Sequence, residues 1–251
     1  MPGTLQPRLD AAIALLRGGD HAGAERAFRE LLAEGERRSD RDLERMALVN
    51  LSATLIAQRR LDEAEALLLR AVQLARSQGF DLGASTPLYN LAWRAFYQRD
   101  FDRAARLTSE AAAAAGTSPP FDLGLLLALM DARLATRHGL FDLARAALAR
   151  AAAAIPSARD PDLANQVLMA QGIVEYRAGQ RAGLDLVLAG AANVKTADRQ
   201  DLAARWLTGL AYLAAAAGDQ DAASRLGAAA QRLARAPDFP TPEQCASYLK
   251  A

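Results

Sequence analysis

The sequence predicts an all-α protein, a right-handed α-solenoid of six antiparallel helix–turn–helix repeats followed by a short C-terminal capping helix. Three observations predict it: a high alanine content, no run that alternates with a period of two, and a turn segment that recurs along the whole chain. Alanine makes up about a quarter of the 251 residues, well above average usage, and it has the highest helix propensity. Without alternating apolar and polar residues, we expect no sheet.

The turn segments set the length of the repeat. Successive segments begin 40, 40, 40, 40 and 39 residues apart. They begin at Gly19, Arg59, Arg99, Gly139, Gly179 and Gly218. A fixed period of this length is typical of helical hairpins, each of which buries its apolar face only by stacking on a neighbour.

Small residues recur on the same period and predict where helices cross closely. Seven residues before the turns lie Ala12, Ser52, Ala92, Ala132, Gly172 and Ala211. Five residues after the turn starts lie Ala24, Ala64, Ala104, Ala144, Leu184 and Ala223. Seven residues further on lie Leu31, Ala71, Ala111, Ala151, Ala191 and Ala230.

This spacing resembles the tetratricopeptide-repeat family, in a long variant. The third repeat carries the pattern as Ala92, Arg99, Phe101, Ala104 and Ala111, and the fourth as Ala132, Gly139, Phe141, Ala144 and Ala151. The resemblance covers nearly the whole chain. The usual repeat has about 34 residues, so we expect the 40-residue repeat to have longer helices. Such a resemblance implies a fold far more specifically than a function.

The helix pattern predicts a single domain over residues 1–251. Its repeats are expected at 5–36, 40–78, 84–115, 121–154, 160–195 and 198–235, with a cap at 241–250. Thr241 and Pro242 suit the start of the capping helix. We expect Tyr248 and Leu249 to lie over the exposed end of the sixth hairpin.

Two glycines suggest that the fifth repeat is the softest part of the array. Gly183 and Gly190 each lower helix propensity by about 1 kcal/mol relative to alanine.

Composition argues against several classes of function. Lys and Arg number 30 and Asp and Glu 29, so the whole-chain charge gives no reason to expect binding to nucleic acid or to an anionic membrane. No apolar stretch is long enough to span a bilayer, and no secretory signal is visible at the N-terminus. The single cysteine, Cys245, gives no support for an oxidising compartment. We expect a cytoplasmic protein with no membrane partner.

No catalytic constellation is visible, so we expect neither an enzyme nor a cofactor. The two histidines, His21 and His138, have no metal-ligand spacing with each other or with Cys245. No glycine-rich phosphate loop is present, because Gly18 and Gly19 suit a helix stop.

The resemblance implies that the first helix of each hairpin lines a concave groove. Asn50 and Asn90 occupy the same groove position in adjacent repeats. In related arrays an asparagine there clamps a peptide backbone through its amide, which both donates and accepts hydrogen bonds. The alternative is a local hydrogen bond within the helix.

An aromatic and basic stripe follows in the third to fifth repeats. Tyr89, Trp93 and Tyr97 are spaced one helical turn apart. Tyrosine, tryptophan and arginine are enriched at binding hot spots, and arginine suits carboxylates. The basic residues at groove positions are Arg133, Arg137 and Arg177. The alternative is that Trp93 lies in the core and the arginines pair with acidic neighbours.

Taken together, the pattern predicts a non-catalytic scaffold that binds a protein or peptide, with an acidic or carboxylate group, in the concave groove. A second hypothesis is a sensor or regulatory module whose solenoid binds a small peptide or ligand and acts through a separate protein. A third is a homo-oligomer in which the groove or end cap of one chain docks on another.

Overall fold

The computed structural model describes residues 5–58, 60–117, 119, 122–158, 160, 162–195, 197–234 and 239–249, with the backbone alone at 197–199. Within these ranges the protein is all-helical, with thirteen α-helices and no strand. Connections of a few residues join consecutive helices that pack on each other, so the helices form hairpins.

The chain divides into two compact units, residues 1–119 and 120–251. Unit 1 contains three hairpins, built from α1 (Leu5–Arg17), α2 (His21–Arg38), α3 (Arg41–Ala57), α4 (Leu61–Ser77), α5 (Asp81–Tyr97) and α6 (Phe101–Ala115). Unit 2 contains three more and a short last helix, built from α7 (Leu123–Arg137), α8 (Phe141–Ala154), α9 (Asp162–Arg177), α10 (Gly183–Ala192), α11 (Ala197–Ala216), α12 (Gln220–Leu233) and α13 (Pro242–Ala246). The expected single array across both units stays a prediction.

Most helix ends lie within about two residues of the predicted bounds. The start of α5 and the end of α10 differ from the predicted bounds by three residues. Helix α5 begins at Asp81 rather than 84, because Phe80 N–H already closes the end of α4 on the carbonyl of Ala75, 3.0 Å away. Helix α10 is only ten residues long. Residues 121, 235 and 250 of the predicted bounds lie outside the described residues.

One main-chain hydrogen bond ends the first helix of every hairpin. The N–H of the residue after the turn start donates to the carbonyl five residues earlier. The six N–H···O distances are 2.8–3.0 Å, in the pairs Asp20–Leu15, Arg60–Leu55, Asp100–Ala95, Leu140–Ala135, Gln180–Glu175 and Asp219–Ala214. This bond requires a left-handed residue at the turn start, which explains the periodic glycines: Gly19, Gly139, Gly179 and Gly218 have φ between 70° and 89°.

The predicted small residues are buried where helices cross, except in the sixth hairpin. Ala24, Ala64, Ala104 and Ala144 are each 0% exposed. In the sixth hairpin the expectation for Ala211 and Ala223 is wrong, because both are only half-buried and Ala222 is the buried alanine. The last turn interval is one residue shorter than the others, and here the buried position moves one residue earlier.

Glycines in the fifth hairpin allow an unusually close approach of α9 and α10. A Cβ atom on Gly172 would lie 2.5 Å from the backbone oxygen of Gly183 and from the backbone nitrogen of Val187. A Cβ atom on Gly190 would lie 2.7 Å from the backbone oxygen of Asn165. These glycines therefore serve helix packing, a role that the low helix propensity alone does not suggest.

Ion pairs between hairpins accompany the apolar core in unit 1. Arg94 of α5 is only 5% exposed. Its guanidinium donates to Asp62 at 2.8 Å and contacts Glu65 at 2.7 Å, both on α4. Glu44 of α3, 2% exposed, contacts Arg41 at 2.8 Å and also Arg70 of α4. Breaking a buried pair leaves an uncompensated charge. The Arg94 contacts therefore help to fix how the second and third hairpins dock, whereas the Glu44–Arg70 contact joins the two helices of the second hairpin.

We predict that Arg99→Gly stabilises the protein. Arg99 occupies the turn position with φ 65°, which glycine adopts without steric cost. The expected gain is about 0.5–1 kcal/mol, measured as a rise in the temperature of thermal unfolding. The matched control is Gly139→Ala, with φ 70° at the same position, which should destabilise by about 1 kcal/mol. Equal effects of the two substitutions would contradict the left-handed cap.

We also predict that Gly172→Ala destabilises unit 2 by about 1–3 kcal/mol, because the new methyl group meets backbone on α10. Gly227→Ala in α12 is the matched control, since a Cβ there meets nothing within 4 Å. It should stabilise by about 0.5–1 kcal/mol through helix propensity. Urea unfolding followed by circular dichroism measures both. A Gly172→Ala chain as stable as the control would rule out the close helix approach.

Candidate functional site

The predicted site residues fall in both units. Asn50, Tyr89, Asn90, Trp93 and Tyr97 lie in unit 1. Arg133, Arg137 and Arg177 lie in unit 2.

In unit 1, three aromatic residues of α5 form a continuous row. The rings of Trp93 and Tyr97 stack with centroids 5.3 Å apart, and those of Tyr89 and Trp93 meet edge to face at 6.4 Å. The indole Nε1 of Trp93 donates to the hydroxyl of Tyr89. Tyr89 is buried, whereas Trp93 and Tyr97 are half-buried. The outer end of the row therefore leaves two large, rigid rings partly accessible at the surface.

The structure shows a local hydrogen bond for one of the two asparagines, and the clamp stays a prediction. The Nδ2 of Asn50 donates to the carbonyl of Met46, 2.9 Å away on the same helix. The side-chain N–H of Asn50 is therefore used in a local hydrogen bond within α3, as the alternative interpretation predicted. Asn90 is half-buried on α5.

In unit 2, Arg133 of α7 is buried, with 5% of its surface exposed. Its guanidinium carbon lies 5.3 Å from the ring centroid of Trp206 on α11, a cation–π contact. Its Nη2 donates to Oε1 of Gln166 on α9 at 3.4 Å. Arg133 therefore joins three first helices, and its role as an anchor for a partner's carboxylate stays a prediction.

Arg137 and Arg177 bind the chain's own C-terminal residues. Nη1 of Arg137 donates to the carbonyl of Ser247 at 2.6 Å. Nη1 of Arg177 donates to the carbonyls of Thr136, at 2.8 Å, and of Leu249. Burial, and then the neighbouring positive charge of Arg137, lower the pKa of Arg177. The acceptors that the structure describes for these two arginines are main-chain carbonyls.

The C-terminal segment, Phe239–Leu249, therefore lies on one side of unit 2. We call the side of α7, α9 and α11 that carries Arg137, Arg177 and Gly209 the first-helix face. The expected position of the cap, over the end of the sixth hairpin, needs correction. The segment packs on α11 but also reaches α7 and α9.

The beginning of the segment is ordered by its own sequence. Thr241 forms the capping box that starts α13, with its hydroxyl accepting from Gln244 N–H at 3.3 Å and its own N–H donating to Oε1 of Gln244 at 2.9 Å. This confirms Thr241 as the cap and Pro242 as the first residue of the helix. Phe239 lies under the guanidinium of Arg205, 5.5 Å from its ring centroid.

The remainder of the segment is held by burial. Cys245, Ala246 and Leu249 are each 1% exposed. Leu249 belongs to the apolar cluster built by α9, α10, α11 and α12. On α11, a Cβ on Gly209 would lie 2.7 Å from the carbonyl oxygen of Cys245. Only glycine at this position leaves room for the segment's backbone.

A narrow cleft lies beside Arg133 in unit 2, with a volume of about 20 Å³, room for about one water molecule. Its apolar lining includes Met169, Ile173, Leu202 and Trp206. Nε2 of Gln166 is buried here with no hydrogen-bond partner among the described residues. A buried amide nitrogen without a partner is costly, so this cleft favours a polar occupant.

Sequence reasoning assigned no role to three residues of this site: Gly209, which it placed only at a groove position, Trp206 and Ser247. Gly209 had a signal, because it is a lone glycine inside an alanine-rich helix at a groove position, and such a glycine often marks a close backbone approach. Ser247 acts through its carbonyl oxygen, which any residue supplies, so no sequence signal exists for it.

Among the described residues, no three His, Cys, Asp or Glu side chains cluster as a metal ion requires. No described helix is both long and apolar enough to cross a membrane.

Comparison with known proteins identifies a fold and no family. No protein-family model matches the chain, and no curated protein sequence matches it. Among solved structures, the chain is similar to BtubC (BKLC) from P. vanneervenii, with a TM-score of 0.55 and 21% sequence identity. The match covers 92% of this chain and 82% of that one. At this identity the likeness concerns the helical fold alone.

We predict that Cys245 reacts slowly with thiol reagents while the C-terminal segment is docked. Burial raises the pKa of Cys245 to about 11, from an ordinary value of 9.0, which leaves about 100-fold less thiolate at pH 8. Because Cys245 is the only cysteine, alkylation of the native chain should be at least about 100-fold slower than that of the guanidinium-unfolded chain. Similar rates in the two states would show that the segment is not docked.

Proposed function

We propose that this protein is a non-catalytic scaffold that binds a polypeptide segment along the first helices of its hairpins. The observation that carries the proposal is the C-terminal segment on the first-helix face. This face holds a polypeptide by donating hydrogen bonds from Arg137 and Arg177 to main-chain carbonyls. Donors aimed at carbonyls recognise a peptide backbone whatever its side chains are.

The proposal includes the finer architecture that the sequence predicts. The six hairpins would form one continuous right-handed solenoid of the tetratricopeptide type, in a single domain in the cytoplasm. The repeated turn bond and the repeated buried alanines support this, because equivalent hairpins stack in equivalent ways.

Charge favours a partner segment with an acidic or carboxylate group. Arg137 and Arg177 lie close enough for each charge to disfavour the other. An acidic group beside them would relieve this repulsion, and a hydrogen bond from arginine to a carboxylate is roughly twice as strong as one to a neutral acceptor. In unit 1, the half-buried rings of Trp93 and Tyr97 offer an apolar contact surface.

Capture from native lysate, with the full chain as bait, tests the proposal. The test variants are Trp93→Ala with Tyr97→Ala, and Arg137→Ala with Arg177→Ala. Leu69→Ala in α4 and Leu143→Ala in α8 are the controls, since both leucines are exposed on second helices. All variants are first checked for helicity and thermal stability.

We expect at least one protein that the wild type and both controls retain and that one of the test variants loses by about tenfold or more, as removal of hot-spot residues predicts. Cross-linking then locates it on first helices. The same retained proteins for every variant would argue against binding on this side of the hairpins.

The second function, a sensor that binds a small ligand, stays a prediction. The cleft beside Arg133 has room for about one water molecule. A water there would accept a hydrogen bond from the buried Nε2 of Gln166, so the cleft does not itself argue for a larger ligand.

A further inference from the structure

The contacts that hold the C-terminal segment do not depend on its being part of the same chain. Arg137 and Arg177 bind carbonyl oxygens, Gly209 leaves room for a backbone, and an apolar cluster takes one leucine. Any segment with the same backbone turn and a leucine at the same place would make the same contacts. Unit 2 therefore contains a peptide site, and the C-terminal segment shows which residues fit that site.

We infer that the first-helix face of unit 2 is the docking site for a partner segment of the same chemistry as the C-terminal segment, which must leave before the partner binds. This inference rests on the proposed function, and it names the partner's chemistry. The partner offers two small residues, then two variable residues, then a leucine. In this chain that sequence is Cys245-Ala246-Ser247-Tyr248-Leu249.

Each feature of this sequence follows from a contact. The first small residue, Cys245, is 1% exposed, and its carbonyl lies against Gly209. The second, Ala246, is 1% exposed. The leucine fills the apolar cluster. The third and fifth residues supply the carbonyls that Arg137 and Arg177 bind.

Residues 241–244 of the segment are exposed, so exchange with a partner is feasible. The helix that they begin has only five residues, and a helix this short is not stable without its tertiary contacts. Binding of Cys245, Ala246 and Leu249 therefore decides whether the segment stays docked.

The chain contains its own reporter of docking. Cys245 is the only cysteine, and it is buried only while the segment lies on Gly209. Its alkylation rate therefore measures how often the first-helix face is vacated, in the full-length protein and without an introduced label.

A peptide added to the full chain tests the inference. The probe is the sequence of residues 239–249 with serine in place of Cys245, carrying a fluorophore on its N-terminus. It is titrated into the wild type and into Leu249→Ala, with anisotropy for binding and Cys245 alkylation for release. An attached segment competes at an effective concentration on the order of millimolar, so the wild type should bind the probe weakly.

We expect Leu249→Ala to bind the probe at least tenfold more tightly than the wild type. Saturating probe should also raise the alkylation rate of Cys245 at least fivefold. Gly209→Ala should bind no probe, because the added methyl group occupies the position of the probe's backbone. Gly227→Ala, an unobstructed helical glycine, is the matched control and should behave as the wild type.

Several outcomes would overturn the inference. One is a Leu249→Ala chain whose Cys245 is alkylated rapidly but which binds no probe, since the vacated face would then have no affinity for this chemistry. Another is equal probe binding by Gly209→Ala and Gly227→Ala. A concentration-dependent dimer of the wild type, lost in Leu249→Ala, would assign the face to a second copy of the chain instead.

Two checks keep the result decisive. If Leu249→Ala loses helicity, Leu249→Val replaces it, because the smaller truncation leaves a smaller cavity. Failure of the probe with a protein still captured through Arg137 and Arg177 would reject the partner's chemistry alone. Failure of capture with a binding probe would reject the proposed function instead.

Discussion

The structure depends on one repeated constraint, the main-chain hydrogen bond that ends the first helix of each hairpin. It needs a left-handed residue at the turn start, which is why glycine recurs there. Because the bond fixes where each first helix ends, the second helix starts two residues after the turn start in five of the six hairpins; in the fifth, α10 starts four residues after it, at Gly183. The buried alanines at 24, 64, 104 and 144 then meet their neighbours at equivalent points.

Regular hairpins put the first helices of unit 2 on one side, and the first-helix face follows from this order. Three helices contribute one group each: Arg137 from α7, Arg177 from α9 and Gly209 from α11. Two arginines provide donors and a glycine provides space. No single hairpin contains all three, so the site exists only because hairpins stack.

The sequence predicted much of the fold, because periodicity and turn chemistry are local. The six turns, most helix bounds and the cap at Thr241 were predicted from residues a few positions apart. The sixth hairpin was predicted wrongly at Ala211 and Ala223, because burial there depends on how the last hairpin packs. The groove positions identified Arg137 and Arg177, but their acceptors are carbonyls of residues 110 and 72 positions away, and sequence patterns contain no information on such contacts.

Amide hydrogen exchange at Cys245–Leu249 tests the central claim most directly, that the first-helix face holds a polypeptide through its backbone. The account predicts that these amides are protected in the wild type to a degree similar to those of α11. It also predicts that Arg137→Ala with Arg177→Ala removes this protection while α11 keeps its own, because both arginines donate to carbonyls of the segment. Exchange of these amides in the wild type as fast as in an unstructured peptide would contradict the account.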